Sequence, residues 1–203
     1  MAKSGSGLFD PAPIADEIAL ARSESRAMVR GLTGIFGPSG QLTMAHLPFL
    51  SFIERSQAFS LGAATMIESG NPLAAATLLR SFAENLAVVF YIQAHPQDID
   101  KLQPGARHSI KVGRIISQAE KHLPGFKAMY DELSARAHPT GKGSYQNFVV
   151  AGEGQFTWQS HPTFVDVQDA RALLQRLRDL TKLTAEVIKN TAAELSAPHR
   201  AFS

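Results

Sequence analysis

The sequence predicts an all-α fold, a helical bundle of about five to six helices with a β-hairpin inserted before the last helix. Two observations predict it. Apolar residues recur at helical spacing along most of the 203-residue chain, and proline or glycine separates the segments that show this spacing. Before the last such segment, two short runs rich in aromatic and β-branched residues flank Gly152-Glu153-Gly154, which is typical of a hairpin.

Six segments show helical spacing, and they are predicted at about residues 10–32, 47–69, 71–95, 106–122, 126–137 and 166–195. Asp10-Pro11 and Asn71-Pro72 mark two of the starts, because each places a capping side chain before a proline, which suits a first helical turn. Pro96 ends the third helix, since proline cannot continue it. Loops are expected at 37–46 and 97–105.

The chain has the length of one ordinary domain. We expect residues 1–9 to form a disordered tail, residues 10–195 a single helical domain, and residues 196–203 a loose tail. The hairpin, at about 144–160, is interpreted as an insertion between two helices. The last helix carries leucines at heptad-like spacing, so it packs either on the core of its own chain or on a partner helix in a homodimer.

The composition excludes several classes of protein. There are no cysteines, which excludes a disulfide scaffold, a thiolate metal site and a cysteine nucleophile. The N-terminus lacks the apolar region of a signal peptide, and no uninterrupted apolar run is long enough to cross a bilayer. We therefore expect a cytoplasmic protein that makes no membrane contact.

The net charge of +2 is unevenly distributed along the chain. Residues 101–143 contain eight Lys or Arg and three acidic residues, a local charge of +5, whereas residues 41–100 contain two and five, a local charge of −3. The basic segment is either an ordinary solvated surface or a surface for RNA or nucleotides.

Motifs for several common chemistries are missing. The glycines at 34, 37 and 40 follow a predicted helix rather than a strand, so they do not form a phosphate loop. The sequence contains neither a His-Glu-x-x-His zinc motif nor a Gly-x-Ser-x-Gly elbow, and its seven histidines are scattered. We therefore expect no metal site and no cofactor.

Arg80 and Glu84 are the only formally charged residues between Asn71 and Gln97. They lie four residues apart and therefore share one face of the third helix. Because the rest of this helix is apolar on almost every side, the two charges are expected to be at least partly buried. A buried charge persists only when it is paired and hydrogen-bonded. The alternative is a surface ion pair.

A second polar set lies on the predicted fifth helix, where Tyr130, Ser134 and His138 follow one another at four-residue steps. Each such step rotates by only about 40° around a helix, so the three side chains form one stripe. Their hydroxyl and imidazole groups can complete the hydrogen bonding of the charged pair. His138 precedes Pro139, so it ends the helix and can face a cleft. Arg136 lies on a different face of the same turn.

These two sets carry a resemblance to a known family. The run Leu78-Leu79-Arg80-Ser81-Phe82-Ala83-Glu84, followed by Tyr130-x-x-Leu133-Ser134-x-x-x-His138-Pro139, resembles a bacterial helical family of unknown function. That family is thought to be related to the HEPN helical domains, several of which are ribonucleases in toxin–antitoxin, abortive-infection and other defence systems. The resemblance covers about residues 50–140 in pattern and the rest only in helix order.

The sequence departs from the HEPN nucleases at one point. Those enzymes place several residues between a catalytic arginine and a catalytic histidine, whereas here Arg136 and His138 are separated by a single residue. If the chain is an enzyme, His138 would be the general acid or base, Arg80 or Arg136 would stabilise the phosphate charge, and Glu84 would orient Arg80. The implied ligand-binding residues are Tyr130, Ser134 and Arg136.

Three functions remain open from the sequence. The first is a HEPN-like intracellular protein with a polar cleft for nucleotide or RNA, in a defence or toxin–antitoxin context. The second is a non-enzymatic homodimeric interaction module, in which the same residues form a structural polar network. The third is a helical bundle that binds a small anionic ligand beside Arg80.

Overall fold

A computed structural model describes residues 9–30, 46–102, 110–138, 148–152, 155–158 and 162–196. Within these ranges the chain forms six α-helices, which confirms the all-α class. They are α1 (Ala15–Arg30), α2 (His46–Glu68), α3 (Pro72–Ala94), α4 (Val112–His122), α5 (Phe126–Ala137) and α6 (Val167–Ser196). One 3-10 turn, Ala12–Ile14, precedes α1, and another, Pro96–Leu102, follows α3.

The central helix is α3, which contacts α2, α4, α5 and α6. Asn71 caps its start as predicted, since its side chain accepts a hydrogen bond from the Ala74 amide at 3.0 Å. Leu79, Phe82 and Leu86 are fully buried on its core face. By length and composition, α3 is the one helix of the described segments that could cross a membrane, and half of that stretch is buried inside the fold.

The leucines of α6 pack on the core of their own chain. Leu173, Leu174, Leu177 and Leu180 are each at most 2% exposed, and the helix contacts α1, α2 and α3. Of the two alternatives that the sequence left open for these leucines, the structure therefore shows the first.

Two short strands, β1 (Phe148–Gly152) and β2 (Gln155–Trp158), lie between α5 and α6. They pair antiparallel, with Phe148 opposite Trp158, and the pairing becomes irregular between Val150 and Gly152. The side chain of Trp158 is 63% exposed.

The start of the fourth helix was predicted wrongly. Instead of beginning near Ala106, α4 begins at Val112, and Ile110 and Lys111 before it are not helical. Lys111 has an extended backbone, with φ −67° and ψ 129°, and serves as the N-cap residue without a side-chain hydrogen bond. Residues 103–109 lie outside the described part of the chain, as does most of the loop predicted at 37–46.

Two segments predicted to be irregular take part in the fold. Pro96–Leu102, in the predicted polar connector, forms a 3-10 helix because Asp98 turns inward and is hydrogen-bonded there. Phe9, assigned to the N-terminal tail, packs against Phe164 with 5.0 Å between ring centroids. Burial of an aromatic ring is a strong reason for a residue to join the core.

Candidate functional site

The position of α5 is fixed at its start and along its buried face. The Glu120 carboxylate accepts hydrogen bonds from the backbone amides of Gly125 at 3.0 Å and Lys127 at 2.6 Å, so it caps the helix. These two bonds lower the pKa of Glu120. Gly125 adopts φ +91°, a conformation that favours glycine, and thereby allows the tight turn from α4. Leu133, 2% exposed, packs α5 on the core.

Four of the six predicted site residues come together where α5 crosses α3, and we name them the Arg80 cluster: Arg80, Glu84, Tyr130 and His138. Arg80 Nε and Nη2 lie 3.1 and 3.0 Å from Glu84 Oε1. The Tyr130 hydroxyl donates to the same oxygen at 2.7 Å and lies 3.4 Å from Arg80 Nε. Arg80 Nη1 lies 3.3 Å from His138 Nε2.

The contact between Arg80 and His138 sets the direction of one hydrogen bond. A guanidinium has only donors, so Arg80 Nη1 donates and His138 Nε2 accepts. His138 is exposed and is the residue that ends α5. The cluster therefore opens to solvent at the imidazole.

The charged pair of the cluster is half-buried, with 26% of the Arg80 side chain and 30% of the Glu84 side chain exposed. Burial acts to lower the pKa of Arg80, but the hydrogen bond to Tyr130 and the charge of Glu84 outweigh it, so the pKa is raised from its ordinary value. The guanidinium thus stays charged and is held in one orientation.

Ser134 and Arg136, the other two predicted ligand-binding residues, do not join the cluster. Ser134 Oγ is buried and has no hydrogen-bond partner in the described segments. Arg136 lies on another face of α5, as predicted, and pairs with Glu132 at 3.4 Å.

A second polar cluster, which the sequence did not reveal, lies at the C-terminal end of α3. The Tyr91 hydroxyl donates to Asp98 Oδ2 at 2.7 Å, and Lys101 Nζ donates to Asp98 Oδ1 at 2.6 Å. The ring of His95 stacks on Tyr91 at 4.5 Å, and the Arg114 guanidinium lies 5.9 Å from the centre of the Tyr91 ring. We name Tyr91, Asp98 and Lys101 the Asp98 network. The only sequence signal for it was the spacing of Asp98 and Lys101, which suits an ion pair in a helical turn.

A groove of about 310 Å³ lies between the α4–α5 turn and α6, away from the Arg80 cluster. Its wall is mainly apolar and includes Phe126, Met129 and Leu180, together with Arg176 and Asp179. Within the described segments, no three His, Asp or Glu side chains lie close enough together to hold a metal ion.

Fold and site together define a small all-α bundle with a half-buried cationic cluster that opens on an exposed histidine. Comparison of the chain with family models, with curated proteins and with solved structures finds no match.

Proposed function

We propose that this chain binds the phosphate group of a nucleotide or RNA at the Arg80 cluster. One observation supports the proposal above the others: Arg80 Nη1 lies 3.3 Å from Nε2 of an exposed imidazole. A guanidinium holds phosphate oxygens by charge-assisted hydrogen bonds, and an imidazole N–H can donate to the same oxygens. The polar groups of the cluster thus suit an anionic ligand.

The donors of Arg80 support phosphate as the ligand. An arginine carries five N–H groups. In the described segments one N–H on Nε and one on Nη2 are directed at Glu84, and one on Nη1 is directed at His138. Among the described residues, one N–H on each terminal nitrogen has no partner and suits a ligand oxygen.

The histidine supports the same ligand through its second ring nitrogen. When Nε2 accepts from Arg80, the proton of the neutral ring lies on Nδ1, which can donate to a ligand oxygen. His138 is exposed, so such an oxygen can approach it from solvent.

If the ligand is RNA, the same pair suits cleavage by the 2′-OH of the RNA itself. His138 would remove the 2′-OH proton, the 2′-oxygen would attack phosphorus, and the 5′-oxygen would leave with a proton from water. Arg80 would stabilise the charge that develops on the phosphate. This version would suit a defence or toxin–antitoxin context, which is implied by the resemblance of the sequence to a helical family thought to be related to the HEPN domains.

Binding is tested by isothermal titration calorimetry with a nucleoside monophosphate and by fluorescence polarisation with a labelled oligoribonucleotide. We expect Arg80→Gln and His138→Ala to weaken both ligands at least about tenfold, the loss expected for a charge-assisted hydrogen bond. Lys127→Gln is the matched control, because it removes one exposed positive charge from α5 outside the cluster. Equal affinities of all four proteins would overturn the proposal.

Cleavage is tested separately by incubating RNA with the purified chain and with His138→Ala. Loss of cleavage in the variant is expected if the imidazole is the base. Equal, trace cleavage by both proteins would remove the catalytic version and leave the binding function.

The second candidate function is a non-enzymatic homodimeric module, in which the Arg80 cluster is a structural polar network. The exposure of Trp158 at 63% and of Val165 at 78% favours it, because tryptophan is enriched in protein interfaces. Light scattering on dilute protein should then show a dimer that Trp158→Ser dissociates. A strict monomer at all concentrations contradicts this function.

A further inference from the structure

The two oxygens of the Glu84 carboxylate are used unequally. Oε1 accepts from Tyr130 and from two nitrogens of Arg80, at 2.7, 3.1 and 3.0 Å. Oε2 accepts from no residue of the described segments, and 30% of the Glu84 side chain is exposed.

This asymmetry departs from the usual geometry of an arginine–carboxylate pair. An arginine and a carboxylate gain most when two N–H groups meet two oxygens. Here Tyr130 and both Arg80 nitrogens meet on one oxygen, and among the described residues no donor meets the second oxygen.

The ligand that suits such a site carries a negative group and, close to it, neutral hydroxyl donors. An amine would also bind a carboxylate oxygen, but a second cation is repelled by Arg80, whose Nη2 is 3.0 Å from Oε1. Ribose offers neutral donors in its 2′ and 3′ hydroxyls, and an acidic side chain that accepts from them is a recurring means of ribose recognition. The 2′-OH also distinguishes RNA from DNA.

We infer that Glu84 Oε2 binds the ribose diol of the ligand, so that the Arg80 cluster selects ribonucleotides over nucleotides that lack these hydroxyls. This inference rests on the proposed phosphate binding. Glu84 thereby has two roles: Oε1 orients Arg80, and Oε2 contacts the sugar.

The test uses calorimetry on the whole chain with three probes: adenosine 5′-monophosphate, its 2′,3′-dideoxy counterpart and inorganic phosphate. The ribonucleotide is expected to bind about tenfold more tightly than the dideoxy compound, because hydrogen bonds to a charged acceptor are lost. Glu84→Gln should remove this preference, since the amide keeps an acceptor for Arg80 and Tyr130 but presents an NH2 group in place of Oε2. Glu54→Gln removes an exposed carboxylate from α2 and should keep the preference.

The outcomes separate the two proposals. If both nucleotides bind the unmodified chain equally well and Arg80→Gln weakens both, the selection of ribose is wrong and phosphate binding stands. A preference that survives in Glu84→Gln also overturns the role of Oε2. If none of the three probes binds, phosphate binding itself fails, and the selection of ribose fails with it.

Discussion

Two polar clusters lie on α3, and they are built from the same chemical groups. Each centres on a carboxylate that accepts a tyrosine hydroxyl at 2.7 Å and pairs with one basic side chain. In the Asp98 network the two donors take different oxygens, since Tyr91 takes Oδ2 and Lys101 takes Oδ1. In the Arg80 cluster all donors meet on one oxygen of the carboxylate.

Burial of the two carboxylates differs in the same direction. The Asp98 side chain is 11% exposed and that of Glu84 is 30% exposed, although Lys101, at 45%, is more exposed than Arg80, at 26%. A buried carboxylate with a donor on each oxygen contributes to stability, because any group removed from it leaves a partner unsatisfied. A half-buried cluster with open donors and acceptors can instead bind a ligand. The two clusters therefore differ in whether each oxygen of the carboxylate has a donor, and not in the types of residue that form them.

The largest effect on stability should come from the contact that holds α5 under the Arg80 cluster. Leu133→Ala is expected to lower the free energy of unfolding by about 3 kcal/mol, as for other buried leucines. Because Tyr130 and His138 lie on α5, ligand affinity should fall as well. Denaturant unfolding and calorimetry measure the two effects, and a change in affinity at unchanged stability would contradict this role.

The second-largest effects are expected from two tyrosine variants, one from each cluster. Tyr91→Phe should lower the melting temperature by several degrees and leave ligand affinity unchanged, because it opens the buried network. Tyr130→Phe should lower it less but weaken the ligand about fivefold, the equivalent of ~1 kcal/mol for one orienting hydrogen bond. Thermal unfolding and calorimetry on both proteins test this, and equal effects on stability and binding would erase the difference between the two clusters.

A smaller effect should appear in the pH dependence of stability. The hydrogen bonds from Lys101 and from Tyr91 hold the pKa of Asp98 below its ordinary value. A carboxyl group whose pKa is lowered on folding stabilises the fold above its unfolded-state pKa and loses this contribution as the pH falls through the folded-state pKa. Asp98→Asn should therefore melt a few degrees below the unmodified chain at neutral pH.

The same variant provides its own control in acid. Below the folded-state pKa of Asp98, the two melting curves should converge, because the carboxyl group is then protonated in both states of the unmodified chain. Other carboxylates with lowered pKa values, such as Glu24 and Glu68, affect both proteins alike. A constant difference in melting temperature from neutral to strongly acidic pH would show that the charge of Asp98 does not contribute to stability.

The smallest effect is expected at the start of α5. Glu120→Gln replaces the capping carboxylate by an amide, which still accepts from one backbone amide but no longer from both. The melting temperature should fall slightly, and hydrogen exchange in the first turn of α5 should quicken. Unchanged exchange at Lys127 would show that the cap does not set the position of this helix.

Much of the fold could be predicted because its signals are local. Asn71 followed by proline marks the start of α3, and the bounds of α5 agree with those predicted from Gly125 and Pro139. The start of α4 could not be predicted in this way, since Ile110 continues the apolar spacing without being helical. Apolar spacing predicts on which face of a helix a residue would lie, but it does not predict where the helix begins.

The candidate site was predictable only in part. Arg80 and Glu84 stand out as lone charges on an apolar helix, and Tyr130 and His138 stand out as a polar stripe at helical spacing. Ser134 belongs to the same stripe, yet its hydroxyl is buried apart from the cluster. Ser134 lies between Tyr130 and His138 on the stripe, so its spacing does not distinguish it from them; its side chain is the shortest of the three.

The sequence by itself determined the helical class, the principal breaks between helices and the identity of the isolated charges, because these follow from spacing, capping and the cost of burying a charge. Only the tertiary structure decided which carboxylate is saturated and which has an open oxygen. That choice depends on the angle and distance at which α5 and the Pro96–Leu102 turn meet α3. Contacts between segments far apart in the chain set these, and no local pattern of residues encodes them.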